Sequence, residues 1–158
     1  MTNKEFFLST LKEEESKYRV AIDALPEDKH DHKVHERSRA AGNLAAQLAL
    51  QWKAISGIVN TGTPAFNPHE MEGLSKEDML TAYDEGMSHL MKDVEAVSDE
   101  EWMNGEASMG AEWKDKKYHM AWGFLFDAIH HRGQLSTFLR AMGAKVPSIY
   151  GPSADSDK

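Results

Sequence analysis

The sequence predicts an all-α protein: one domain over residues 1–158, folded as a four-helix bundle with an irregular C-terminal tail. Three observations carry this expectation. Four long segments repeat apolar residues at three- and four-residue intervals, the spacing of one helix face. No segment reads convincingly as a strand. Each long segment carries a single apolar stripe, and four such stripes are buried most simply against one another.

The first segment runs from about Lys4 to Leu25, with Phe7, Leu11, Tyr18, Ile22 and Leu25 as its stripe and Pro26 to end it. A charged loop, Glu27 to Arg37, follows. The second segment begins near Ser38, whose hydroxyl suits an N-cap, and ends before Thr61-Gly62-Thr63-Pro64. Leu44, Leu48, Ile55 and Ile58 or Val59 face inward. After a loop from Gly62 to Leu74, the third segment opens on Ser75-Lys76-Glu77-Asp78, a capping-box pattern. Leu80, Tyr83, Met87, Leu90, Val94 and Val97 supply its stripe. Ser98-Asp99-Glu100-Glu101 is a second capping signal, for a short helical turn, and Trp102 to Lys116 reads as irregular. The fourth segment runs from about Lys117 to Met142 and packs through Trp122, Leu125, Ile129, Phe138 and Met142. Gly143 closes it as the residue that takes a left-handed backbone at low cost. The tail from Val146 to Pro152 cannot continue as regular helix.

Composition narrows the function. With 41% hydrophobic and 28% charged residues the chain builds an ordinary globular core. A net charge of −8, with no basic run carrying interleaved aromatics, argues against a nucleic-acid partner. The absence of cysteine excludes disulfides, cysteine-ligated zinc and a thiol nucleophile. There is no apolar run near the ~18 residues of a membrane span and no signal-peptide core after Met1, so a cytoplasmic protein without a membrane partner is expected.

Polar residues at core-facing positions are the informative ones. Asp127 and His131 stand four apart, on one helical face, and could hold a divalent metal as carboxylate and imidazole ligands. Gln134 continues that polar stripe. Gln47 lies beside Leu48 on the inward side of the second segment, and facing helices could bring the two sets together. The plainer readings are a buried amide bonded to its neighbours and an Asp127–His131 hydrogen bond that only orients the ring. His130 points about 100° away from His131, toward a surface or an interface. Arg132 is expected to pair with a carboxylate of another helix, and Gly133 to allow close helix approach. His30, His32 and His35 sit in a solvated loop; His69, His89 and His119 have no evident partner.

The block His130-His131-Arg132-Gly133-Gln134-Leu135, followed by Leu139-Arg140 and Gly143, resembles the C-terminal helix of the DinB-like (DinB/YfiT) metalloenzyme superfamily. Glu36 to Ala45 is similar to that family's entry into its second helix, and the tail from Val146 to Asp155 to the ending of one subgroup. The resemblance implies an up-down-down-up bundle, often dimeric, with a divalent metal (Zn, Ni, Mn or Fe) between the second and last long helices. The family's usual ligands are three histidines. Here one matches His131, one falls on Asp127 and one on Gln47, so two of the three depart from the pattern.

Two functions of different class follow. One is a metal-dependent enzyme of hydrolase or thiol S-transferase type, with a small-molecule partner such as a low-molecular-weight thiol. The other is a non-catalytic small-ligand-binding or stress-response bundle that has lost the metal. A homodimer with His130 and the tail at its interface is a further expectation.

Overall fold

The computed structural model describes residues 1–156. Five helices and one hairpin follow one another: α1 (Asn3–Asp23), α2 (Ala41–Thr61), α3 (Lys76–Ala96), α4 (Asp99–Asn104), β1 (Glu106–Met109), β2 (Trp113–Lys116) and α5 (Lys117–Ala141). The four long helices are α1, α2, α3 and α5. Because α2 packs on α3 and α5, and α1 on the same two, the order around the bundle is α1–α3–α2–α5. No helix among the described residues is long and apolar enough to cross a membrane.

Local chemistry sets most boundaries. Thr2 and Glu5 form a reciprocal capping box at α1, and Ser75 with Asp78 forms another at α3. At the end of α5, the Gly143 and Ala144 amides donate to the Arg140 and Leu139 carbonyls at 3.2 and 2.9 Å, with Gly143 at φ 78°. This is a Schellman closure, which a Cβ at Gly143 would strain.

The second helix departs from expectation. It starts at Ala41, and Ser38 instead closes a turn onto the His35 carbonyl at 2.7 Å. The first amides of α2 need no side-chain cap because loop carbonyls take them: Ala41 N donates to His32 O at 2.9 Å and Gly42 N to His30 O at 2.8 Å.

The stretch from Trp102 to Lys116, expected to be irregular, is ordered as the end of α4 and an antiparallel hairpin in which Met109 pairs with Trp113 and Glu106 with Lys116. Neither strand is rich in β-branched residues, so its stability comes from outside it. Ser108 N donates to Gly62 O at 2.8 Å, fastening β1 to the end of α2, and the Trp113 ring stacks on Phe124 of α5 at 6.1 Å.

The expected stripes line the core. Phe7, Leu11, Tyr18, Ile22 and Leu25 are fully buried, as are Leu48, Ile55, Tyr83, Met87 and Leu90. Trp52 joins the layers, packing edge-on to Tyr18 at 4.6 Å and to Tyr83 at 5.8 Å. Gly57 does a different job. A Cβ there would stand 2.4 Å from Ala65 N and 2.6 Å from Thr63 O, so the loop after α2 folds directly onto the helix backbone.

Arg132 meets the expected carboxylate. Its guanidinium is 2% exposed and lies 2.6 Å from Glu14 of α1, whose side chain is 8% exposed. It also stacks over Tyr18 at 4.3 Å and donates to the Tyr150 hydroxyl, which itself donates to Glu14 at 2.8 Å. Burial raises the Glu14 pKa, but hydrogen bonds from Lys17, Arg132 and Tyr150 outweigh it and leave the pKa below the ordinary value. A carboxyl depressed in the folded state contributes stability above its unfolded pKa and loses it as pH falls through the folded one. Glu14→Gln, which leaves Arg132 without its counter-charge, is expected to cost about 3–5 kcal/mol at pH 7. Urea denaturation should show the gap between wild type and variant narrowing as pH falls below the ordinary carboxylate range; a gap independent of pH would contradict the ion pair's role.

Candidate functional site

Gln47 and Gln51 stand one turn apart on α2, and Asp127 and His131 one turn apart on α5. The α2–α5 contact brings the four side chains onto one oxygen. Asp127 Oδ2 lies 3.2 Å from Gln47 Nε2, 3.2 Å from Gln51 Nε2 and 3.1 Å from His131 Nδ1. His131 Nδ1 thus has two neighbours of opposite kind, the Asp127 carboxylate, which only accepts, and the Gln47 amide nitrogen at 3.4 Å, which only donates.

The orientation of both amides follows from their other partners. Arg39 has no acceptor atom, so its contact with Gln47 must be to Oε1, which turns Nε2 toward Asp127. Gln51 Nε2 also donates to the Phe124 carbonyl at 2.9 Å, and that oxygen can only accept. Arg39 itself reaches in from the loop before α2 and is braced by Asn43 Oδ1 at 2.9 Å and Asn43 O at 3.3 Å. Partial burial draws its pKa below the usual arginine value, while the Asp127 charge opposes that shift.

The network opens to one side. Asp127, 44% exposed at its side chain, lies on the wall of a cavity of about 380 Å³, and His131, 14% exposed, stands behind it. Gln47 and Gln51 form the polar wall with Asp127; Phe66, Met109, Trp113 and Phe124 form the apolar one. A Cβ at Gly123 would come 3.5 Å from the Trp113 ring, so that indole lies close over α5. A few convergent polar groups in an aromatic-walled cleft of this size are what small-molecule sites look like.

The expected triad of His131, Asp127 and Gln47 is therefore brought together. Gln47 Nε2 is also 3.4 Å from His131 Nδ1, so three atoms form a triangle with edges of 3.1–3.4 Å. Ligand atoms bound about 2.0–2.2 Å from one ion stand roughly that far apart. The chemistry at the corners does not suit an ion, however. One corner is an N–H donor held in place by Arg39, whose guanidinium adds positive charge nearby. Among the described residues, no group of three His, Cys, Asp or Glu is placed to hold a metal.

Other expectations divide. His130 is exposed, as its angle requires, but Gln134 is exposed too and bonds His130 Nε2 at 2.8 Å rather than extending the buried polar stripe. The stripe drifts off the α2 contact after one turn. Gly133 does not serve close approach within the chain: it is exposed, and a Cβ there would meet nothing within 4 Å. His119 pairs with Asp115 at 2.6 Å and His69 with Glu72 at 3.3 Å, both on the surface. The functional residues that sequence reasoning missed are Gln51, Arg39 and the aromatic wall. Gln51 had a signal, since Gln47-x-x-x-Gln51 repeats the spacing of Asp127-x-x-x-His131.

The sequence profile of the DinB family matches residues 1–157. The chain belongs to the DinB family. Solved structures share the fold: a DinB-like protein of Bacillus subtilis superposes with a TM-score of 0.70 at 16% identity, over 92% of this chain and 99% of that one. A DinB-like protein of Bacillus cereus gives 0.77 at 14% identity, over 92% and 97%. A mutant of a mycothiol-dependent maleylpyruvate isomerase gives 0.59 at 15% identity, over 92% of this chain and 65% of the isomerase. No curated relative matches the sequence.

Within this DinB-family fold, one side chain decides the character of the polar triangle. Gln47→His replaces the N–H donor by a ring nitrogen with a lone pair. It is expected to raise Zn or Ni content, measured by mass spectrometry after supplementation, to about one equivalent. No gain in metal would show that the amide is not what keeps an ion out.

Proposed function

We propose that this DinB-family protein is a small-molecule-binding bundle in which Asp127, backed by His131, exchanges a proton with a ligand held against Trp113 and Phe124. The observation that carries the reading is the close contact of His131 Nδ1 with Asp127 Oδ2 at 3.1 Å, on a carboxylate pinned by two glutamine amides at 3.2 Å. A carboxylate this close stabilises the imidazolium that forms when the ring takes a proton. A ligand with one protic group on an apolar body suits the cavity. A low-molecular-weight thiol is one such ligand, and with no cysteine in the chain the thiol must come from the ligand.

A second reading, a metal-dependent enzyme of hydrolase or thiol S-transferase type, is favoured by the 3.1–3.4 Å triangle itself. It requires the Gln47 amide to turn over and leave Arg39. Metal analysis separates the two. Tag-free protein supplemented with Mn, Fe, Ni and Zn is expected to retain less than ~0.1 equivalent, because three strong ligands would hold far more. A stoichiometric ion that Asp127→Asn abolishes would establish the second reading and defeat the first. Indole serves as a neutral probe of the cavity: it should raise the melting temperature of wild type and not of Trp113→Ala. An equal response of both proteins would place no ligand against Trp113.

A further inference from the structure

We infer that Arg39 is an anion-recognising residue, and that it receives the carboxylate of a small acidic ligand whose apolar body lies between the 34–39 loop and the C-terminal half of α5. The inference rests on the small-molecule reading of the same polar network and adds to it a second pocket, separate from the Trp113 cavity.

Arg39 is bound differently from the arginines of the helices. Arg19, Arg132 and Arg140 each meet a carboxylate, at 2.9, 2.6 and 2.7 Å, whereas Arg37 and Arg39 of the loop before α2 meet none among the described residues. The acceptors of Arg39 are all neutral: Gln47 Oε1, Asn43 Oδ1 and the Asn43 carbonyl. Among the described residues no carboxylate lies within 4.0 Å of it, and Asp127 is reached only through the Gln47 amide. A guanidinium carries five N–H groups. Nε spends its single one, and Nη1 and Nη2 spend one each, so one hydrogen remains on each terminal nitrogen. Two donors on adjacent nitrogens match the two oxygens of a carboxylate.

The space beside that cation is shaped for more than a free anion. Arg39 lines a hollow of about 420 Å³ with Val34, Leu44 and Phe138, and with Ser38, Gln134 and Thr137. Mostly hydrocarbon walls around one guanidinium favour a carboxylate carried on an apolar body over inorganic phosphate, which would leave those walls wet. The first amides of α2 are already taken by the His30 and His32 carbonyls, so Arg39 and not the helix end supplies the charge. The protein as a whole is at −8, which makes a local cation the more necessary for holding an anion. A ligand seated there touches the residue that orients Gln47, and through Gln47 it adjoins Asp127 and His131.

Benzoate, benzamide and inorganic phosphate test the assignment by titration, followed through the Arg39 Nε–H resonance and by calorimetry. Benzoate should perturb that resonance and bind at least about tenfold more tightly than benzamide, the same shape without the charge. Arg39 is exposed, so its variants should fold. Arg39→Gln should bring benzoate down to the level of benzamide, and Arg39→Lys, with its charge but not its fork, should fall between. Equal binding of benzoate and benzamide, an unchanged affinity in Arg39→Gln, or phosphate binding as tightly as benzoate would each overturn the assignment. Indole at Trp113 is read independently. Its success with a failure of benzoate refutes the Arg39 assignment alone, and the reverse refutes the aromatic cavity while leaving Arg39 in place.

Discussion

The buried contact between Arg132 and Glu14 sets the geometry from which the rest follows. Two charges taken out of water attract strongly only if their remaining hydrogen-bonding groups are also satisfied. Here Lys17, Tyr150 and the face of Tyr18 do so. The consequence reaches beyond stability. Arg132 and His131 are neighbours in sequence and about 100° apart on the helix. With Arg132 tied to α1, His131 can only turn toward α2, and Asp127 one turn earlier turns with it. The rotational setting of α5 in the bundle, and so the position of the polar site, is fixed from the opposite side of the helix. The tail is drawn into the same contact through Tyr150, which gives an otherwise irregular segment a defined place.

Much of this was legible because it depends on short-range chemistry. The Ser75–Asp78 box, the Gly143 closure and the apolar stripes are properties of a few adjacent residues, and the structure repeats them. The meeting of Gln47 with Asp127 and His131 was legible for a related reason, since polar side chains on two inward stripes have little else to face. What escaped depends on distant partners. Ser38 looked like the cap of α2, but carbonyls of His30 and His32 had already taken the amides it would have served. The hairpin lacks strong strand formers and exists because Gly62 and Phe124 receive it. Gly133 suggested a tight crossing, and no intrachain neighbour comes near it.

The site itself shows how little separates two kinds of chemistry. Three polar atoms at the corners of a small triangle could surround an ion or share protons, and which of these they do depends on whether the corner contributed by α2 offers a lone pair or a hydrogen. In this chain Arg39 settles that question for Gln47 without touching Asp127. A loop residue outside the helical core thereby sets which way an amide at the α2–α5 contact faces.

Gly57 extends the same idea from charge to shape. The bare backbone there lets Thr63 and Ala65 settle against α2, and Phe66, the next residue, forms part of the aromatic wall. One absent methyl group, on the outer side of the helix, helps set how wide the cavity is. Ligand size and ligand chemistry are consequently written in separate parts of the chain. The bore of the cleft can change by way of the 63–66 loop while Asp127 and His131 keep their place, so that its width and its polarity vary independently on one scaffold.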